Sequence, residues 1–182
     1  LGTDGGGAVR FDPVQRRAYR PEVLGDHDGD LTGGRIFAII GDRRGNTWFT
    51  VFGKGVGCLD AETNTLTHYH RKDAENGLCN DQVMSLLEDA DGMIWIGTNG
   101  SGLERLDPVT GTFTHFREES GLPNLAIYSA LQDEQGNLWL SHNKGLTCLD
   151  PRQRVCKNFT KADGLQSNEF NGCAAYQNND GE

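Results

Sequence analysis

Short apolar runs, separated by turns rich in glycine and aspartate, recur along the whole chain. Ile36-Phe37-Ala38-Ile39-Ile40, Val83-Met84-Ser85-Leu86-Leu87 and Ile127-Tyr128-Ser129-Ala130-Leu131 are examples. Each has the length of a buried strand and is too short for a helix. Other segments, such as Phe113-Thr114-His115-Phe116, alternate apolar and polar side chains, the period of a half-buried strand. No segment sustains an apolar period of 3.6. The pattern predicts an all-β chain with many short strands.

The turns repeat in register. Asp42-Arg43-Arg44-Gly45-Asn46-Thr47-Trp48 returns as Asp89-Ala90-Asp91-Gly92-Met93-Ile94-Trp95 and as Asp133-Glu134-Gln135-Gly136-Asn137-Leu138-Trp139. The tryptophans are 47 and 44 residues apart, and all three in the chain occupy this slot. A Leu-Asp motif follows each one, at Leu59-Asp60, Leu106-Asp107-Pro108 and Leu149-Asp150-Pro151. Next comes an alternating strand, and then Gly77-Leu78, Gly121-Leu122 or Gly164-Leu165. Asp at the first position of a turn can accept from the backbone ahead of it, and Gly at the fourth tolerates a positive φ. Each unit therefore reads as four strands: apolar, Trp-bearing, Leu-Asp-terminated and alternating.

Four antiparallel strands per unit in tandem is the pattern of β-propeller blades. About four repeats are visible, with expected bounds of 1–35 (partial), 36–78, 79–122, 123–165 and 166–182 (first strand of a next blade). Tryptophan in a fixed slot is expected to fill the space between blades. The phase of the repeats leads us to expect a segment of a larger propeller. The alternative is a four-bladed ring closed by a composite blade from the two ends.

The pattern Asp-x-x-Gly-Asn-Leu-Trp-Ile-Gly-Thr followed by Gly-Leu and Arg-Leu-Asp-Pro resembles the two-component regulator propeller repeat. Asp89 to Phe113 and Asp133 to Phe159 carry the resemblance best, and Asp163 to Gly172 resembles the last repeats of that family. The chain departs from the repeat at Phe49-Thr50-Val51-Phe52-Gly53-Lys54, which lacks Gly-Thr, and at His142, which replaces Thr. The resemblance implies the extracytoplasmic, periplasmic sensor part of a bacterial membrane signalling protein. In such proteins a β-sandwich, a membrane helix and a histidine kinase or diguanylate cyclase module commonly follow. Implied partners are a carbohydrate or other small molecule, neighbouring blades and downstream signalling domains; a homodimer stays open.

Composition narrows the function. Among 182 residues there are 25 glycines and only five prolines, which suits many turns rather than a low-complexity tract. The formal net charge of −9 repels phosphate backbones, so nucleic acid is not an expected partner. The longest apolar run, residues 36–40, is far short of a bilayer span.

Candidate chemistry is sparse. His68 and His115 occupy equivalent positions and are assigned to the sheet surface. His68 and His70 lie two apart on one strand face, but no third metal ligand has a sensible spacing. Asp89 and Asp91 lack the ligand spacing of a calcium loop, so turn capping is the reading adopted. No nucleophile elbow or phosphate-binding loop is present. No metal or cofactor is expected. Cys148 and Cys156 flank one turn; two separate thiols are favoured over a disulfide. The polar residues left over fall in the turns between second and third strands: Lys54, Asn99, Ser101, His142, Asn143 and Lys144. In propellers those turns gather on one face, and these six are the expected ligand contacts. The function expected is non-catalytic ligand sensing. The alternatives are a streptogramin B lyase-like enzyme, suggested by Gly45-Asn46-Thr47-Trp48-Phe49-Thr50 with His142 as general base, or a protein-binding scaffold.

Overall fold

The structure, a computed structural model, describes residues 1–19, 31, 33–71, 77–172 and 175–176. Sixteen strands form among them. They are β1 (Asp4–Gly5), β2 (Arg10–Asp12), β3 (Arg17–Tyr19), β4 (Gly34–Arg35), β5 (Ile39–Gly41), β6 (Thr47–Val51), β7 (Gly55–Leu59) and β8 (Leu66–Tyr69). The series continues with β9 (Val83–Glu88), β10 (Ile94–Thr98), β11 (Leu103–Asp107), β12 (Thr112–Phe116), β13 (Ser129–Gln132), β14 (Leu138–His142), β15 (Gly145–Asp150) and β16 (Val155–Phe159). Three four-stranded meanders result: β5 to β8, β9 to β12 and β13 to β16. They carry Trp48, Trp95 and Trp139 on their second strands. Residues 1–35 contribute two small ribbons, β1 with β4 and β2 with β3. No strand is present among the described residues of 166–182. His27 and Cys173 lie outside the described residues.

The chain divides into two compact units, Leu1–Val83 and Met84–Glu182. In the first, Leu31, Phe49 and Val51 form a buried cluster against Ala8, Ile36 and Leu66. In the second, Trp95, Leu103 and Phe116 of one sheet pack with Leu138, Leu140 and Leu149 of the next. A blade must bury both faces, and here apolar strand residues supply that contact. Trp95 is 1% exposed as a result. Trp139 occupies the same slot on the last described sheet and is 36% exposed, stacked on Phe159 at 5.4 Å.

The aspartate of each Asp-x-x-Gly turn has two jobs. One oxygen of Asp42 accepts from the backbone N–H of Arg44 and Asn46, and the other from Trp48 Nε1 at 2.9 Å. Asp89 does the same for Asp91, Met93 and Trp95 Nε1 (2.7 Å), and Asp133 for Gln135, Asn137 and Trp139 Nε1 (3.0 Å). Burial alone raises the carboxyl pKa of Asp42 and Asp133. Hydrogen bonds from the indole, the Asn side chain and the turn backbone outweigh it, and both sit below the ordinary value. The glycines closing these turns have φ of 87°, 80° and 85° at Gly45, Gly92 and Gly136. The indole is thus both packed and anchored, and the turn cannot move without it.

A second aspartate series caps the turns between third and fourth strands. Asp12, Asp60, Asp107 and Asp150 each accept with Oδ1 from the N–H groups two and three residues ahead. The match of Leu-Asp register to an Asx turn explains why this motif ends the third strand every time.

Candidate functional site

The turns between second and third strands share one construction. Gly55 opens β7, Gly102 immediately precedes β11 and Gly145 opens β15, with φ of 92°, 82° and 108°. Their N–H groups donate to Asp81 O, Leu125 O and Asn168 O respectively, each in the connection that leaves the same blade. A side chain at any of the three would overlap the carbonyl of the last fourth-strand residue, Tyr69, Phe116 or Phe159. The glycine is thus anchored to the outgoing connection in every copy, while the tips differ in length and side chain.

Lys54 sits in the β6–β7 turn, half-buried, with its carbonyl accepting from His68 Nε2 at 2.6 Å. Asn99 and Ser101 sit in the β10–β11 turn. Thr98 Oγ1 donates to Gly102 O and accepts from Ser101 N–H, which ties that turn shut. Asn143 and Lys144 form the exposed tip of the β14–β15 turn. Asn99 pairs with Ala126 through an isolated bridge, so this tip is joined to the next connection.

His142 departs from the loop-surface position expected of it. It is 0% exposed, at the end of β14, with both ring nitrogens engaged. Nδ1 accepts from Lys144 N–H at 3.0 Å, so Nε2 carries the proton and donates to Thr147 Oγ1 at 2.8 Å. The Thr147 hydroxyl donates to Asn158 Oδ1 at 2.6 Å, and Asn158 Nδ2 donates to Gly121 O at 3.4 Å. Burial, with the Lys144 charge adding to it, pushes the imidazole down to about 4. It is a neutral strut that shapes the Asn143-Lys144 tip. Thr147, to which it is bonded, and Asn158, which accepts from Thr147, carry no sequence signal that links them to the loop.

The other described histidines bond to neighbouring backbone and side chains. His70 Nδ1 donates to Arg71 O, and its ring lies 4.9 Å from that of His68. His115 Nδ1 bonds Glu104 Oε2. Glu104 is wholly buried, and its Oε1 has no hydrogen-bond partner among the described residues. The carboxylate oxygens of Asp89 are spent on its turn and on Trp95, in keeping with capping. Cys148 and Cys156 lie on opposite faces of their sheet, because Cys148 is directly across from Lys157 and Cys156 from Leu149. Both are thiols, as are Cys58 and Cys79. No described helix is long and apolar enough to cross a membrane.

Comparison with known proteins places these features. Residues 77–100 and 121–144 match the model of the family described as two component regulator propeller. The first complete blade, which lacks Gly-Thr after its tryptophan, is not part of that match. No curated protein matches the chain. The structure is similar to the extracellular domain of the hybrid two component system BT3049 from B. thetaiotaomicron, with TM-score 0.74 and 22% identity over 87% of this chain and 24% of that one. It is similar to the extracellular domain of the one component system BT4673 from the same organism, with TM-score 0.75 and 25% identity over 99% of this chain and 26% of that one. A streptogramin B lyase gives TM-score 0.60 and 18% identity over 85% of this chain and 48% of that one. The chain spans about a quarter of the length of these two extracellular-domain chains. Its second and third complete blades carry repeats of the two component regulator propeller family.

Proposed function

We propose that this chain is part of a periplasmic, ligand-sensing propeller of a bacterial signal-transduction protein and is not itself a catalyst. The observation that carries the reading is the design of the second-to-third-strand turns. In each, the glycine leading into the third strand donates to a carbonyl of the connection leaving the same blade, while the tips differ: Lys54, Asn99 with Ser101, and Asn143 with Lys144. A rigid scaffold with variable polar tips suits recognition. The ligand class is a carbohydrate or a similarly polar small molecule, contacted in the second unit by Asn99, Ser101, Asn143 and Lys144, with His142 holding the last tip in shape; Lys54 is the corresponding tip residue of the first unit. Neighbouring blades and downstream signalling domains of the same polypeptide are the further partners, and self-association into a homodimer is compatible with the reading.

The lyase reading has the shared propeller fold on its side. It needs a histidine free to take a proton. His142, its candidate base, has its acceptor nitrogen occupied by Lys144 N–H and its other nitrogen bonded to Thr147. Titrating an oligosaccharide panel against the wild-type chain and an Asn99→Ala/Lys144→Ala variant tests the proposal. The expected result is saturable binding of one oligosaccharide, weakened at least tenfold in the variant. Equal affinity in both would overturn the site assignment.

A further inference from the structure

The opposite end of the blades gathers charged side chains of both signs. Between the second and third complete blades, both in the second unit, lies a crevice of about 190 Å³. It is lined by Asp89, Asp91, Trp95, Arg105, Gln132, Asp133, Glu134 and Arg152, among others. Asp89 and Asp133 are spent on their turns and tryptophans. Of the other four ionic side chains, Arg105 stacks on Trp95 and adds to the Val109 N–H bond in lowering the Asp107 carboxyl, and Asp91, Glu134 and Arg152 face solvent. Arg105 lies over the Trp95 ring, its guanidinium carbon 5.7 Å from the centroid, and its Nε is buried without a hydrogen-bond partner. Arg152, Asp91 and Glu134 are exposed at the mouth. None of these four makes an ion pair among the described residues.

Two guanidinium groups and two carboxylates thus line one small space without neutralising each other. Each sign of charge facing the crevice favours a ligand group of the opposite sign. A simple anion would satisfy Arg105 but meet four carboxylates. A simple cation would meet two guanidinium groups. A ligand carrying both charges answers both demands. The volume lies below the roughly 300 Å³ at which pockets begin to enclose drug-sized ligands, so the ligand is small.

We propose that this crevice binds a free α-amino acid. The carboxylate is held by Arg105 and Arg152 and the ammonium by Asp91 and Glu134. Gln132 is already tied across the gap, since its Oε1 accepts from Ala90 N–H at 2.8 Å, and it bridges the two blades beside the site. An amino acid bound here would strengthen the same junction. The site is at the other end of the strands from the turn tips of the proposed sensing face, and it stands whether or not that face binds a carbohydrate.

The test is calorimetric titration of the 182-residue chain with each of the twenty L-amino acids, together with the N-acetyl and α-amide derivatives of any that binds. The expected result is saturable binding of at least one amino acid, with the N-acetyl and amide forms each at least tenfold weaker. Arg152→Gln and Glu134→Gln change exposed side chains outside the core. Each should weaken binding about tenfold while the unfolding midpoint stays within error, and Arg105→Gln should abolish binding. The proposal is overturned if no amino acid binds at millimolar concentration. It is also overturned if the N-acetyl form binds as well as the parent, which would mean an anion site, or if Arg152→Gln and Glu134→Gln bind as wild type does.

Discussion

Asp89→Asn and Asp133→Asn make the same chemical change in the same register, and the structure predicts unequal costs. Each wild-type carboxylate accepts turn N–H groups on one oxygen and the indole N–H on the other. An asparagine there has one acceptor and one donor, so in either amide orientation an N–H faces an N–H. At position 89 no side chain can adapt, because the residue four ahead is Met93. The indole is also 1% exposed, so water cannot replace the lost acceptor. A buried unsatisfied N–H costs about 1–3 kcal/mol, and losing a charge-assisted bond adds to it, giving a total of about 2–4 kcal/mol. At position 133 the residue four ahead is Asn137, whose amide donates to Asp133 in the wild type and can turn to accept instead. Trp139 is 36% exposed, so water reaches it. The expected cost is about 0.5–1.5 kcal/mol. Urea unfolding followed by tryptophan fluorescence measures both. Equal costs, or a larger cost at 133, would refute the claim that burial of the anchored indole sets the penalty.

Other substitutions and conditions test other parts of the account. Gly102→Ala should destabilise by about 2–4 kcal/mol, because φ of 82° is strained for alanine and its Cβ overlaps Phe116 O. Gly111→Ala, at φ 72° with open space around it, should cost only about 1–2 kcal/mol, and equal losses in urea melts would contradict the overlap. His142 should stay neutral in the folded chain down to about pH 4, while an unfolded histidine protonates near 6.5. Its folded pKa is depressed, so folding stability should fall as pH drops from about 6.5 towards 4; an NMR titration showing His142 with a midpoint above 6 would contradict this. Asp42 and Asp133 also have depressed folded values, so their contribution is complete above the ordinary carboxyl range and is lost below it. Thiol alkylation at pH 8 should spare Cys58 and Cys156, whose burial raises them to about 12 and about 11. Rapid labelling of either in the folded chain would contradict that burial.

The blades were legible because a repeat displays its own alignment. Trp48, Trp95 and Trp139 mark the second strands, Asp60, Asp107 and Asp150 end the third, and the structure forms a four-stranded meander around each. The anchoring of each indole by the aspartate six residues earlier was less accessible. It depends on the turn folding the strand back so that the side chains meet, which spacing alone does not reveal. His142 shows a different limit. Its position in a turn after the tryptophan strand suggested an exposed contact, but Thr147 and Lys144 N–H draw the ring inward, and that choice rests on the turn backbone and on a partner from β15. For Cys148 and Cys156, separation in sequence allowed a bridge. Only the register, with Leu149 opposite Cys156, sets them on opposite faces. The crevice at Arg105 was invisible for the same reason: its walls come from two blades, and each residue alone reads as a solvated charge.

The central claim is recognition without turnover, carried by the tips of the second-to-third-strand turns. The most direct measurement incubates the chain with the oligosaccharide selected from the panel, with divalent metal present, and then recovers the ligand for mass analysis beside a titration of wild type and Asn99→Ala/Lys144→Ala. The account predicts saturable binding that is weakened at least tenfold in the variant, with the ligand recovered unchanged. Conversion of the ligand, or binding indifferent to both substitutions, would contradict it.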